Sequence, residues 1–192
     1  TDKPRVQIPL QAPFLSDEDR RSVLEAITSG QIAGSGTICR EVEKEISRSF
    51  AVKHVFLTTS CTHALELSAL TLDLKPNDEV ILPSFTFAST ANAYLLRGAK
   101  LIFADIDAAT FNLDPEDVAR RITPRTKAII LVHYAGMPCA MDVFLELARK
   151  HGLALIEDAA QAVDARWKDR YLGTIGDIGC YSFHSTKNIT CG

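Results

Sequence analysis

From residue 54 onward, short continuous apolar runs alternate with segments whose apolar positions recur at helical spacing. The runs are H-V-F-L-T-T at 54–59, E-V-I-L-P at 79–83, K-L-I-F-A-D-I at 100–106, K-A-I-I-L-V-H-Y at 127–134, L-A-L-I-E-D at 153–158 and I-G-C-Y-S-F at 178–183. Each reads as a strand. The segments at 60–73, 86–97, 115–121 and 140–150 read as helices, and K-P-N-D at 75–78 as a turn. Strands without a polar alternate position are buried on both faces. This pattern therefore predicts a three-layer α/β/α domain with a mostly parallel sheet.

The first 50 residues follow a different pattern. Residues 1–15, with Pro4, Pro9 and Pro13, read as extended. Ser16-Asp17-Glu18-Asp19 is a capping-box pattern, which predicts a helix running to about Ser29. Val23, Leu24 and Ile27 form its apolar face, and Gly30 is placed to end it. A glycine-bearing loop with Gly34, Ser35 and Gly36 follows. It reads equally as a connector or as a substrate-facing loop. A second amphipathic helix spans about Ile38 to Phe50.

The chain has 192 residues, which suits one domain. A net charge of −3 gives no reason to expect nucleic acid or an anionic membrane as partner. No apolar run approaches the ~18 residues of a membrane span. The start, T-D-K-P-R-V-Q-I-P-L, lacks the long apolar core of a signal peptide, and the scattered thiols of the chain fit a cytoplasmic protein. Five scattered cysteines (Cys39, Cys61, Cys139, Cys180 and Cys191) include no C-x-x-C pair. They argue against a disulfide framework or a zinc site, and most are expected to be buried.

The candidate chemistry lies in the last third. Two apolar runs end in polar clusters, one bearing Asp158 and Gln161, the other Ser182, His184 and Lys187. Ligands of open α/β sheets bind at the carboxyl ends of strands. A lysine there can form a Schiff base with an aldehyde cofactor, and an aspartate can keep that cofactor's ring nitrogen protonated. Pyridoxal 5′-phosphate (PLP) needs both. Each residue also has a plainer role: Lys187 as a solvated charge, Asp158 as a helix cap, Gln161 as cover for the strand end. Ser60, Cys61 and Thr62 lie where a run turns into a helix, so they suit either a phosphate or an ordinary N-cap. Phe85 or Phe87 could stack on a ring or belong to the core. Gly173, Gly176 and Gly179 precede a strand instead of opening a helix, which disfavours a nicotinamide-binding fingerprint. The other histidines (His54, His63, His133 and His151) have no metal spacing and read as structural or solvated.

S-C-T-H-A-L-E-L, P-S-F-T-F-A-S-T-A-N-A, L-L-R-G-A-K, V-H-Y-A-G, I-E-D-A-A-Q and S-F-H-S-T-K-N-I-T together resemble the DegT/DnrJ/StrS nucleotide-sugar aminotransferases. That family has the type I PLP fold, like aspartate aminotransferase. The finer likeness is to dTDP-4-amino-4,6-dideoxygalactose transaminases. The resemblance implies that Lys187 binds PLP and moves the proton, Asp158 pairs with the ring nitrogen, and Gln161 bonds the phenolic oxygen. Ser182 and the segment Ser60-Cys61-Thr62 would hold the phosphate, Phe87 would stack on the ring, and Gly34 and Ser35 would face substrate.

The implied reaction moves an amino group from glutamate to dTDP-4-keto-6-deoxyglucose or a similar 4-keto-6-deoxy nucleotide sugar, for surface polysaccharide. The implied full-length form is a homodimer. Family members are roughly twice as long, so the chain reads as the N-terminal part of the PLP-binding large domain, without the small C-terminal domain. The alternative is a non-catalytic remnant or a PLP-binding interaction module.

Overall fold

The computed structural model describes residues 12–191, so the expected extended start at 1–11 lies outside the described residues. Helix α1 (Asp17–Thr28) opens with the expected capping box, Ser16 and Asp19 exchanging hydrogen bonds. Gly30, at φ +69°, ends it in the left-handed region that glycine tolerates. Helix α2 (Thr37–Ser49) follows. Neither helix buries a residue among those described, so Val23, Leu24 and Ile27 stay exposed.

The alternating part then runs α3 (Cys61–Thr71), β1 (Glu79–Pro83), α4 (Ala88–Leu95), β2 (Lys100–Ala104), α5 (Pro115–Arg121), β3 (Thr126–Val132), α6 (Met141–His151) and β4 (Ala154–Asp158). A short pair, β5 (Arg166–Trp167) and β6 (Arg170–Tyr171), precedes β7 (Ile178–Cys180). The main sheet has the order β2-β1-β3-β4-β7, with every neighbouring pair parallel.

Alternate strand residues divide the core between two faces, as the strand period of two requires. Ile81, Ile129, Leu131 and Leu155 pack with Val118 of α5 and with Met141 and Phe144 of α6. Val80, Leu82, Ala128, Ile130 and Ile156 pack on the other face with Leu65 and Ala69 of α3 and Ala93 and Tyr94 of α4. The three-layer arrangement expected from the unbroken apolar runs is the one observed.

Three details differ from expectation. Residues 54–59 join no ladder; Leu57 N donates to Glu43 Oε1 of α2 at 3.0 Å, where a strand would bond a strand. An apolar run becomes a strand only when a neighbour supplies ladder partners. The last strand is three residues long, because Cys180 O accepts from Ala159 N and the chain then turns away. The β5–β6 hairpin went unread because its two-residue turn puts Lys168 at φ +54°, where glycine or asparagine is the usual marker.

The amino-terminal edge of the sheet is tied by a buried carboxylate. Glu79 accepts from Thr123 Oγ1 at 2.6 Å, Arg125 Nη2 at 2.8 Å and Lys100 Nζ at 3.4 Å. The bonds from Thr123 and Arg125 hold its pKa down at about 2. A depressed folded-state pKa stabilises above the ordinary carboxylate range, and that stability is lost as pH falls toward the folded value. Glu79→Gln is therefore expected to cost about 1–2 kcal/mol at pH 7. The difference from the parent should shrink progressively between pH 5 and pH 2, as urea unfolding at a series of pH values would record.

Candidate active site

Because the strands of the main sheet are parallel, the ends of β1, β3, β4 and β7 open on one edge. Asp158 closes β4 and is only 5% exposed. Its Oδ2 accepts from Thr90 Oγ1 at 2.7 Å and its Oδ1 from Ala160 N at 3.1 Å. The second bond is the capping role, although a turn, not a helix, follows. Burial raises the pKa of Asp158; Thr90, the Ala160 N–H and the charge of Lys187 pull it back only in part.

Lys187 is half-buried in the turn beyond β7, its N–H donating to His184 O at 2.8 Å. Among the described residues it forms no ion pair. Its charge nevertheless acts on both Asp158 and Cys61, which puts the three in one electrostatic neighbourhood. His184 shapes this turn, its Nδ1 accepting from Thr186 N at 3.3 Å. Ser182 is buried between strand and turn, and its hydroxyl oxygen accepts from His184 N at 3.4 Å.

Ser60 is the N-cap of α3, accepting from His63 N at 3.2 Å. Cys61 and Thr62 fill the first helical positions, where N–H groups have no intrahelical acceptor. Burial, helped by the charge of Asp158, pushes the Cys61 thiol well up, so it stays neutral. Phe87 caps α4 and is 77% exposed, whereas Phe85 packs on Tyr134 with ring centroids 4.4 Å apart. Phe87 is thus the ring with a face to offer. Gln161 is exposed, and its Oε1 accepts from Ala135 N at 2.8 Å. This leaves the NH₂ end of the amide to donate to a ligand.

Gly34 and Ser35 stand apart. They lie in the exposed loop between α1 and α2, whose hydrogen bonds among the described residues stay within residues 25–40. The expectation that most cysteines are buried also needs correction. Only Cys139 and Cys180 are buried, with thiols pushed up to about 12; Cys39 and Cys61 are half-buried, Cys191 is exposed, and all five are free.

Two features escaped the sequence reading. The first is Thr90, 68 positions from its partner Asp158 and marked only by the T-F-A-S-T stretch. The second is the set of donors around Glu157. This residue lies away from Asp158, on the other face. Its carboxylate accepts from Gly173 N at 2.8 Å, Ile175 N at 2.6 Å, Gly176 N at 2.6 Å and His133 Nε2 at 2.8 Å. His133 Nδ1 accepts from Cys139 N, so Nε2 carries the donated hydrogen. Burial alone would raise the pKa of Glu157, but these bonds outweigh it and hold the pKa below its ordinary value. The glycines now have a role: a Cβ on Gly179 would stand 1.8 Å from Gly173 O.

This parallel sheet is shared with solved PLP-dependent aminotransferases. The aminotransferase from Psychrobacter cryohalolentis is 37% identical, with a TM-score of 0.91 over 95% of this chain and 47% of that one. The PLP form of Spr1654 from Streptococcus pneumoniae is 29% identical, with a TM-score of 0.92 over 96% of this chain and 51% of that one. The chain belongs to the DegT/DnrJ/EryC1/StrS aminotransferase family, which it matches over residues 13–192. It is 41% identical over 185 residues to the spore coat polysaccharide biosynthesis protein SpsC of Bacillus subtilis, covering 96% of this chain and 47% of SpsC. The chain thus spans about half the length of these relatives. No helix among the described residues is long and apolar enough to cross a membrane.

Replacing Glu157 by Gln sets an NH₂ group against backbone donors. The loss expected in urea unfolding at pH 7 is about 3–5 kcal/mol. The depressed pKa of Glu157 fixes the sign with pH: its contribution is present above the ordinary carboxylate range and disappears as pH falls through the folded value.

Proposed function

We propose that this chain is the cofactor-holding part of a PLP-dependent aminotransferase large domain. It would transfer an amino group from glutamate to a 4-keto-6-deoxy nucleotide sugar, with dTDP-4-keto-6-deoxyglucose as the specific acceptor. The observation that carries this reading is the buried Asp158 carboxylate sharing one electrostatic neighbourhood with the Lys187 amine. A product for surface polysaccharide agrees with the name of the SpsC relative. The working form proposed is a cytoplasmic homodimer of a longer protein.

The donor set fits PLP group by group. A buried anionic carboxylate suits a protonated pyridine nitrogen, the first turn of α3 at Cys61 and Thr62 suits a phosphate, and the Ser182 hydroxyl can add a donor. Gln161 presents an N–H to the phenolic oxygen, and the exposed face of Phe87 can cover the ring. Gly34 and Ser35 are assigned to the substrate on family resemblance alone. When bound, PLP supplies an electron sink for the carbon that gains or loses the amino group.

The chain's own residues do the rest. Asp158 keeps the ring nitrogen protonated, because neutralising a buried cation would leave its own charge unpaired. Lys187 Nζ holds the cofactor and carries one proton between carbon atoms in both half-reactions, which requires a single base within reach of each.

With glutamate as donor, release of 2-oxoglutarate by the PLP-loaded protein tests the first half-reaction. Lys187→Ala should slow it by about 10²–10⁴-fold or more. Full turnover in that variant would refute the assignment. Borohydride labelling should map to Lys187 in the parent and vanish in the variant. Amination of dTDP-4-keto-6-deoxyglucose over other keto sugars tests the acceptor.

A further inference from the structure

Behind Asp158 stands a chain of two hydroxyls. Thr90, fully buried one turn into α4, donates to Asp158 Oδ2 at 2.7 Å, and Thr86 Oγ1 lies 2.7 Å from Thr90 Oγ1. A threonine has one hydroxyl proton. Since Thr90 spends its own on the carboxylate, Thr86 must be the donor to Thr90. Both dipoles therefore point toward Asp158, and hydrogen bonds in series strengthen one another where water is excluded. The other carboxylate oxygen takes the Ala160 N–H, so both oxygens act as acceptors, the pattern of an ionised group.

We propose that Thr90, backed by Thr86, is a positioning residue that holds Asp158 in its charged form and fixed orientation for the cofactor. The inference rests on the PLP reading above. It also makes the first turn of α4 a joint between two cofactor contacts. Phe87 is its N-cap, and Thr90 N donates to Phe87 O at 3.0 Å. A shift of this turn would therefore move the ring cover and the carboxylate's support together.

The other titratable groups around Asp158 do not replace this support. Cys61 on α3, Cys180 on β7 and Tyr94 on α4 are kept neutral by burial. Lys187 beyond β7 acts on Asp158 through space, while His133 at the end of β3 donates to Glu157, which is committed to its own donors on the other face. Burial raises the Asp158 pKa, and Thr90 is the largest influence opposing it.

The test uses the full-length protein without cofactor. The side-chain carboxyl carbon of Asp158 is followed by ¹³C NMR across acid and neutral pH, with Asp158→Asn to assign the signal. Thr90→Val keeps the shape and removes the hydroxyl. The expected result is a titration midpoint moved to higher pH, with PLP bound about tenfold more weakly at pH 7. Thr90→Ser should restore both. Thr86→Val should move both in the same direction by less, and it decides the matter if Thr90→Val fails to fold. An unmoved midpoint in the folded variants overturns the proposal. Failure of the parent to bind PLP would overturn the cofactor reading instead, and the carboxyl titration would still decide whether the hydroxyls hold the charge.

Discussion

The site depends on the way Glu157 gathers backbone N–H groups. A buried carboxylate is tolerable only when its oxygens are satisfied, and here three N–H groups and the His133 ring do so. Those N–H groups belong to the loop that leads into β7. The anchor on β4 therefore fixes where β7 starts, and β7 fixes where the segment bearing Ser182 and Lys187 leaves the sheet. Adjacent residues of one strand divide the work: Glu157 holds the next strand in place from one face, and Asp158 points to the other.

This dependence explains several local choices. The backbone at Gly173 and Gly179 crosses so closely that a side chain at Gly179 would overlap a carbonyl, so the loop can reach Glu157 only without Cβ atoms there. His133 lies just past β3 and links that strand end to the same carboxylate, so three strand ends are held by one charge. Asp158 is supported differently, by the hydroxyl of Thr90 in α4, on the opposite layer, and that of Thr86 just before the helix. At the far edge Glu79 ties β1 to Lys100, Thr123 and Arg125. The sheet is pinned by buried carboxylates at both ends.

The two N-terminal helices show what this scaffold lacks. α1 and α2 have amphipathic sequences, and α1 opens with a capping box, yet neither contains a buried residue among those described. Residues 54–59 have the composition of a strand and no ladder. The relatives, about twice as long, share this fold over about half of their own chains.

The sequence by itself determined the class of fold and the kind of chemistry. Unbroken apolar runs such as E-V-I-L-P and L-A-L-I-E-D suit only strands buried on both faces, and their alternation with helices leaves a parallel sheet as the simple solution. The same pattern put Asp158 and the Lys187 segment at strand ends, and the motifs around them carried the family. Tertiary structure alone decided which neighbours those residues have. Nothing in local spacing joins Thr90 to Asp158 or Glu157 to Gly173, because hydrogen bonds across 68 or 16 positions depend on how layers stack. Nor could periodicity tell that the H-V-F-L-T-T run goes unpaired or that α1 stays uncovered. An element's own pattern records which face wants burial, and only its neighbours decide whether that face is buried.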